Sequence, residues 1–131
     1  MGDAYLAPNI ETVRITEFFL LIIGGALLQA FAPWFTLGLL AVALGYGFRQ
    51  TALQAFFTGF LAGFFLWAGY AGYLHFLNEG ILGDRMGKLF GGIGGWPLVA
   101  VTGVLGGILA GIGCWTGQAL RQFLQPRAVA R

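Results

Sequence analysis

Three long stretches of the chain, residues 18–48, 50–78 and 89–120, contain no charged residue. Charged residues make up 9% of the chain, against about 25% in an average soluble protein, while hydrophobic residues make up 58%. A chain with so little charge cannot cover a water-facing surface, and it is too apolar to be disordered. The sequence therefore predicts an all-α integral membrane protein.

Proline and the few charged positions divide these stretches into four predicted spans. A span needs about 20 apolar residues. Pro33 interrupts the first stretch, and Arg49-Gln50 ends the next segment. We predict one membrane domain over residues 1–131, with four transmembrane helices arranged as two hairpins. Its spans are residues 13–32, 34–48, 51–77 and 97–123. The alternative to the first hairpin, one long kinked helix, would overshoot the bilayer about twofold.

The long loop between the third and fourth spans predicts a short helix in the membrane interface. Over residues 80–91, apolar side chains recur at helical spacing, and Asp84, Arg85 and Lys88 occupy the other side. A glycine-rich stretch, residues 91–95, follows as a hinge. We expect this segment to lie along the bilayer surface rather than cross it.

The distribution of lysine and arginine predicts the orientation in the membrane. With four spans, Arg85 and Lys88 lie on one side, and the other side carries Arg14, Arg49, Arg121, Arg127 and Arg131. We therefore expect both termini in the cytoplasm and a location in the plasma (inner) membrane. Three spans, the alternative, would split these arginines between the two sides. The N-terminal lead has no basic residues of a signal peptide, so we expect the first span to be retained.

Small residues recur four positions apart in the third and fourth predicted spans. Residues four apart share one helix face, and glycine lets two backbones approach closely. We predict five helix-packing residues on this basis: Gly59, Gly63, Gly103, Gly107 and Gly111. Their partner stays open, because the glycine faces suit either packing of span three on span four or docking of another subunit.

Glu17 is the acidic residue placed furthest into a predicted span. An acid inside a membrane is by default a candidate proton or cation site. Since Glu17 lies about one turn from the predicted interface, the alternative is an acid that snorkels to the interface or pairs with Arg14. His75 and Glu79, on one face of a helix, form a second possible ion or proton site. The alternative for His75 is a histidine at the outer end of its helix.

No catalytic, metal or cofactor site is predicted. The chain has no serine, and Cys114 has no histidine and acid near it in sequence. A metal site needs three or more ligands, which no segment supplies. We expect no enzymatic activity and no cofactor. We also expect no nucleic-acid partner, because the basic residues form no stripe. The phenylalanines crowd spans one and three, and we expect them to face lipid or a partner.

The chain has many small-residue packing motifs and few residues suited to catalysis or metal binding, which favours a structural or accessory subunit. It would pack through its glycine faces in a larger membrane complex or a homo-oligomer, with lipid and other subunits or copies of itself as partners. The alternative is a small oligomeric channel or transporter. Its path would then include Glu17 and glutamine or threonine residues within the membrane, namely Gln29, Thr36 and Gln54.

Overall fold

The computed structural model describes residues 9–125, so Arg127 and Arg131 lie outside the described residues. Within that range the chain is helical throughout, with turns between the helices. The helices are α1 (Ile10–Phe31), α2 (Thr36–Gly47), α3 (Ala52–Leu77), α4 (Ile81–Leu89) and α5 (Gly95–Leu124).

Three of these helices, α1, α3 and α5, are long and apolar enough to cross a membrane. Many of their large apolar side chains point away from the bundle, including Ile23, Phe65 and Ile108. The predicted all-α class with membrane-spanning helices is therefore confirmed at this level. Helix α2 differs, because its 12 residues rise only about 18 Å. A hydrocarbon core is about 30 Å thick.

Local sequence explains where the helices end and begin. Ala32 is extended, as expected for the residue before Pro33, and α1 ends there. Helix α3 starts with a capping box: the Gln54 backbone N–H donates to the Thr51 hydroxyl, and the Thr51 N–H donates to the Gln54 side chain, both at 3.3 Å. These signals keep the α2–α3 turn short and bring α2 and α3 together at one end.

Helix α5 runs antiparallel to α3, and the backbones of the two helices touch along a line that we call the glycine seam (Gly59, Gly63, Gly106 and Ala110). A Cβ atom built on Gly59 would lie 2.6 Å from the Ala110 carbonyl oxygen, and one on Gly63 would collide with the Gly106 carbonyl oxygen. No side chain larger than hydrogen fits at either position without moving a backbone.

A second row of contacts lies beside the glycine seam. Three stacked phenylalanines of α3, which we call the phenylalanine ladder, have ring centroids 6.1 and 6.3 Å apart. Each ring lies over one glycine of α5: Phe56 over Gly111, Phe60 over Gly107 and Phe64 over Gly103. These three phenylalanines therefore pack on α5 through one side of each ring, because the bare glycine backbone of α5 forms a groove, and each stays partly exposed on the other.

Helix α2 packs on another side of α5, in parallel with it. A Cβ on Gly45 would collide with the Cys114 carbonyl oxygen, and one on Gly117 would collide with the Val42 carbonyl oxygen. Gly113 lies against Ala41. The glycine faces of α5 are thus covered by α2 and α3 of the same chain.

Helix α1 completes the bundle against α2 and α3. Its contacts are made by larger side chains, with Leu21 buried beside Leu37 in the core. Helix α4 lies where α3 ends and α5 begins, and its Gly83 and Gly87 face the bundle. The Asp84 side chain of α4 accepts a hydrogen bond of 3.3 Å from the first backbone N–H of α5. This bond satisfies a donor at the start of α5.

Candidate functional site

Glu17 is completely buried, with no solvent exposure. Its Oε2 accepts a hydrogen bond of 2.5 Å from Nε2 of Gln50. The alternative in which Glu17 snorkels or pairs with Arg14 is wrong, since Arg14 is exposed and the Glu17 side chain is buried against Gln50. The physical reason is the α2–α3 turn, which folds over α1 and places the amide of Gln50 against the acid.

Three elements bring the site together. Helix α1 supplies Glu17 from its second turn, and the extended backbone of Phe48 at the end of α2 carries the chain to Gln50. Helix α5 supplies Gln118, which follows Gly117, and the close approach of α2 to α5 at that glycine positions its side chain. Nε2 of Gln118 donates a hydrogen bond to the backbone carbonyl oxygen of Gln50.

Glu17, Gln50 and Gln118 therefore form one connected group, which we call the polar cluster. Gln50 is 9% exposed and Gln118 is 5% exposed. Cys114, four residues before Gln118 on α5, is also fully buried. The cluster joins α1, the α2–α3 turn and α5 at the same end of the bundle.

A cavity of about 660 Å³ adjoins the polar cluster. Its walls are polar and include two arginines; they are formed by Arg49, Gln50, Thr51, Ala52, Gln54, Gln118, Arg121, Gln122 and Gln125. Arg49, Gln122 and Gln125 are exposed, so the cavity opens at the surface. Gln50 and Gln118 belong both to this cavity and to the cluster, so the cavity borders the cluster although Glu17 itself does not line it.

One of the two arginines is tied to the fold. Nη1 of Arg121 donates hydrogen bonds of 3.0 Å to the backbone carbonyl oxygens of Tyr46 and Gly47. These carbonyls lie at the C-terminal end of α2, where unpaired oxygens and the helix dipole favour a positive charge. Arg121 therefore links α5 to α2, and part of its charge is offset by that helix end.

The immediate partner of the buried carboxylate is a neutral amide rather than a cation. A buried charge is normally paired with an opposite charge, because removing it from water costs several kcal/mol. A neutral amide offsets only part of that cost. The arrangement is chemically suited to holding a proton or a small cation next to Glu17.

The structure does not bring the other predicted site residues to Glu17. His75 lies in the last turn of α3, with its ring centroid 5.0 Å from that of Trp96, and Glu79 is exposed in the following turn. Helix α3 rises about 39 Å, so this pair lies at the other end of the bundle. Among residues 9–125, no group of three histidine, cysteine or acidic side chains is arranged to hold a metal ion.

The predicted path residues are placed differently from one another. Gln54 lines the polar cavity. The Thr36 hydroxyl donates to the Pro33 carbonyl oxygen at 2.8 Å, and Gln29 has a buried side-chain nitrogen with no partner in the described part of the chain. Neither Gln29 nor Thr36 lines that cavity. Only Gln54 is therefore close to the polar cluster.

Sequence reasoning missed the importance of Gln50 and Gln118. Gln50 reads as the residue that ends a span, and Gln118 as one of several glutamines available for helix-to-helix hydrogen bonds. The available signal was that Gln118 directly follows a glycine of α5 and that Gln50 lies beside the capping box that fixes the turn. Together these features place two amides at one end of the bundle.

No protein-family model matches this chain, and no curated protein or solved structure matches it.

Proposed function

We propose that this chain is a small membrane transport protein, a channel or transporter that passes a small cation by way of Glu17. The observation that carries the proposal is that Glu17 is completely buried, yet is linked through Gln50 to a polar cavity that opens at the surface. A carboxylate within a membrane bundle is expensive to keep and marks an ion or proton path in many proteins.

The charge balance of the site supports a mobile cation. Glu17 contributes one negative charge, and the partner that touches it most closely, the Gln50 amide, contributes none. A cation that arrives through the cavity would neutralise the charge and could leave again, because among residues 9–125 no positive group is bonded to the Glu17 carboxylate. An acid that is permanently paired with a fixed cation would instead have only a structural role.

The proposal includes the four-span topology. In it, α1, α3 and α5 cross the bilayer, and α2 with its extended flanking residues forms the second arm of the first hairpin. Helix α4 lies in the interface, which its exposed Leu82, Met86 and Leu89 favour. The end with Arg49 and Arg121 faces the cytoplasm, in agreement with the positive-inside rule.

Reconstitution into liposomes tests the function. We expect gradient-driven flux of protons, Na⁺ or K⁺ above that of protein-free liposomes. We expect Glu17→Gln to lower this flux by about tenfold or more, because a tenfold effect requires the lost carboxylate to contribute only about 1.4 kcal/mol to cation binding. Glu11→Gln is the matched control, because Glu11 is an exposed acid in the first turn of the same helix.

The control should conduct like the parent chain. A parent chain without flux, or two variants that conduct equally, would overturn the proposal. The accessory-subunit role stays a prediction. The five glycines that motivated it are covered by α3, or by α5, in the same chain, so that role would require a different docking surface.

A further inference from the structure

The polar cluster contains three buried oxygen atoms that accept no hydrogen bond from any described residue: Oε1 of Glu17, Oε1 of Gln50 and Oε1 of Gln118. The nitrogen atoms of both amides are used within the cluster, one on Glu17 and one on the Gln50 backbone. Each amide therefore uses one of its two N–H groups inside the cluster, while the three oxygens are left without a donor.

Free buried acceptors are costly, because each has lost its bonds to water, at about 1–3 kcal/mol per group. The three side chains belong to one hydrogen-bonded group that Gln50 joins, and all three are at least nine-tenths buried. A ligand that satisfies acceptors only, without offering acceptors of its own, is a cation. Carboxylate and amide oxygens are the ligand type that hard cations prefer.

The charge of the cluster decides between cation classes. Its one carboxylate gives a net charge of −1, which a monovalent ion neutralises. A divalent ion would leave an uncompensated positive charge inside the membrane bundle, at a cost of several kcal/mol. We propose that Glu17, Gln50 and Gln118 bind one alkali-metal cation through these three oxygens. This assignment rests on the transport function proposed above and names its substrate class.

The polar cavity explains how such an ion enters. Its volume of about 660 Å³ holds several water molecules, which complete the coordination of an ion that three protein oxygens contact. The two cavity arginines oppose entry only weakly. Arg121 is bonded to the carbonyl end of α2, and the charge of exposed Arg49 is screened by solvent and salt.

Cation binding to the purified full-length chain in detergent tests the assignment. The probe is radioactive sodium or rubidium in equilibrium dialysis against choline chloride, since choline is too large for the site. We expect one ion per chain, displaced by unlabelled NaCl or KCl. We expect Glu17→Gln to abolish binding, and Gln118→Met, which removes one oxygen at similar volume, to weaken it by about tenfold.

Gln122→Met is the matched control, because Gln122 lines the same cavity but is exposed. It should bind the ion like the parent chain. No uptake by the parent chain, or equal losses in Gln118→Met and Gln122→Met, would overturn the site. If Glu17→Gln fails to fold, the comparison of Gln118→Met with Gln122→Met still tests the cation site.

The two proposals fail separately. Ion binding without flux in liposomes would support the site and overturn transport. Proton flux without alkali-ion binding would overturn the site and leave transport standing, with Glu17 acting on protons alone.

Discussion

Helix α3 packs against α5 and against α1, and the two interfaces are built differently. Towards α5, the glycine seam brings backbone atoms into contact, with the phenylalanine ladder beside it. Towards α1, the contact is the end of a side chain: a Cβ on Gly25 of α1 would lie 2.8 Å from Cδ2 of Leu66 on α3 and, on the neighbouring α2, 2.9 Å from Cδ1 of Leu37. Among residues 9–125, the one buried acid, Glu17, belongs to α1.

This difference separates a fixed part of the molecule from an adjustable one. A backbone atom moves only with its whole helix, whereas the end of a leucine moves by a change of rotamer. The pair α3–α5 is therefore the frame on which α2 and α1 are mounted. We expect any rearrangement that opens the polar cluster to be a movement of α1, because α1 is held by adjustable contacts.

The glycine seam should give the largest stability effect. Gly63→Ala would force a methyl group against the Gly106 carbonyl oxygen and the Ala110 methyl group, and we expect it to lower the free energy of unfolding by about 1–3 kcal/mol. Titration of detergent-solubilised protein with sodium dodecyl sulfate, followed by tryptophan fluorescence, measures this. Trp67 is a suitable reporter because it packs on Gly106.

The matched control is Gly69→Ala in the same helix. Nothing lies within 4 Å of a Cβ at Gly69, so the substitution adds no clash. The higher helix propensity of alanine should leave stability unchanged or raise it by up to about 1 kcal/mol. Equal losses at Gly63 and Gly69 would show that the substitutions act through the helix alone and would remove the basis for a fixed frame.

The polar cluster should respond in the opposite direction. Glu17→Gln removes a buried charge while keeping an oxygen for the Gln50 amide, and its new amide group can donate to a free oxygen of the cluster. We expect stability to rise by about 1 kcal/mol, as is common when a site kept for function is neutralised. The same unfolding titration measures it, in choline buffer without alkali ions. A loss of stability would instead identify Glu17 as a structural residue.

Several features of the fold were predictable because they depend on local sequence. The predicted third span, 51–77, corresponds to helix α3, because the capping box at Thr51 marks its start. The four-residue spacing of Gly103, Gly107 and Gly111 is visible in the sequence, and in the structure these glycines lie against the phenylalanine ladder. The length of α2 was harder to predict. From the sequence we predict a span over residues 34–48, whereas the helix covers Thr36–Gly47. Proline and tryptophan mark a break without fixing how far the turn extends.

The partners across the bundle were not predictable from the sequence. A phenylalanine every four residues suits a lipid-facing stripe and a stripe inserted into a glycine groove equally well. Gln50 lies 33 positions from Glu17, and their contact depends on how the α2–α3 turn folds over α1. The sequence shows which polar residues the chain contains, but which of them meet depends on how the helices pack.

The smallest expected effect is at Gly25, the glycine of α1 that faces α2 and α3. The added methyl group of Gly25→Ala meets only the side-chain ends of Leu66 and Leu37. Leu66 is partly exposed and can change rotamer, and the gain in helix propensity offsets the remaining strain. We expect the free energy of unfolding to change by less than about 1 kcal/mol. The sodium dodecyl sulfate titration, run beside Gly63→Ala, measures the difference. A loss at Gly25 as large as that at Gly63 would mean that α1 is fixed as firmly as α5, and a movement of α1 would no longer explain access to Glu17.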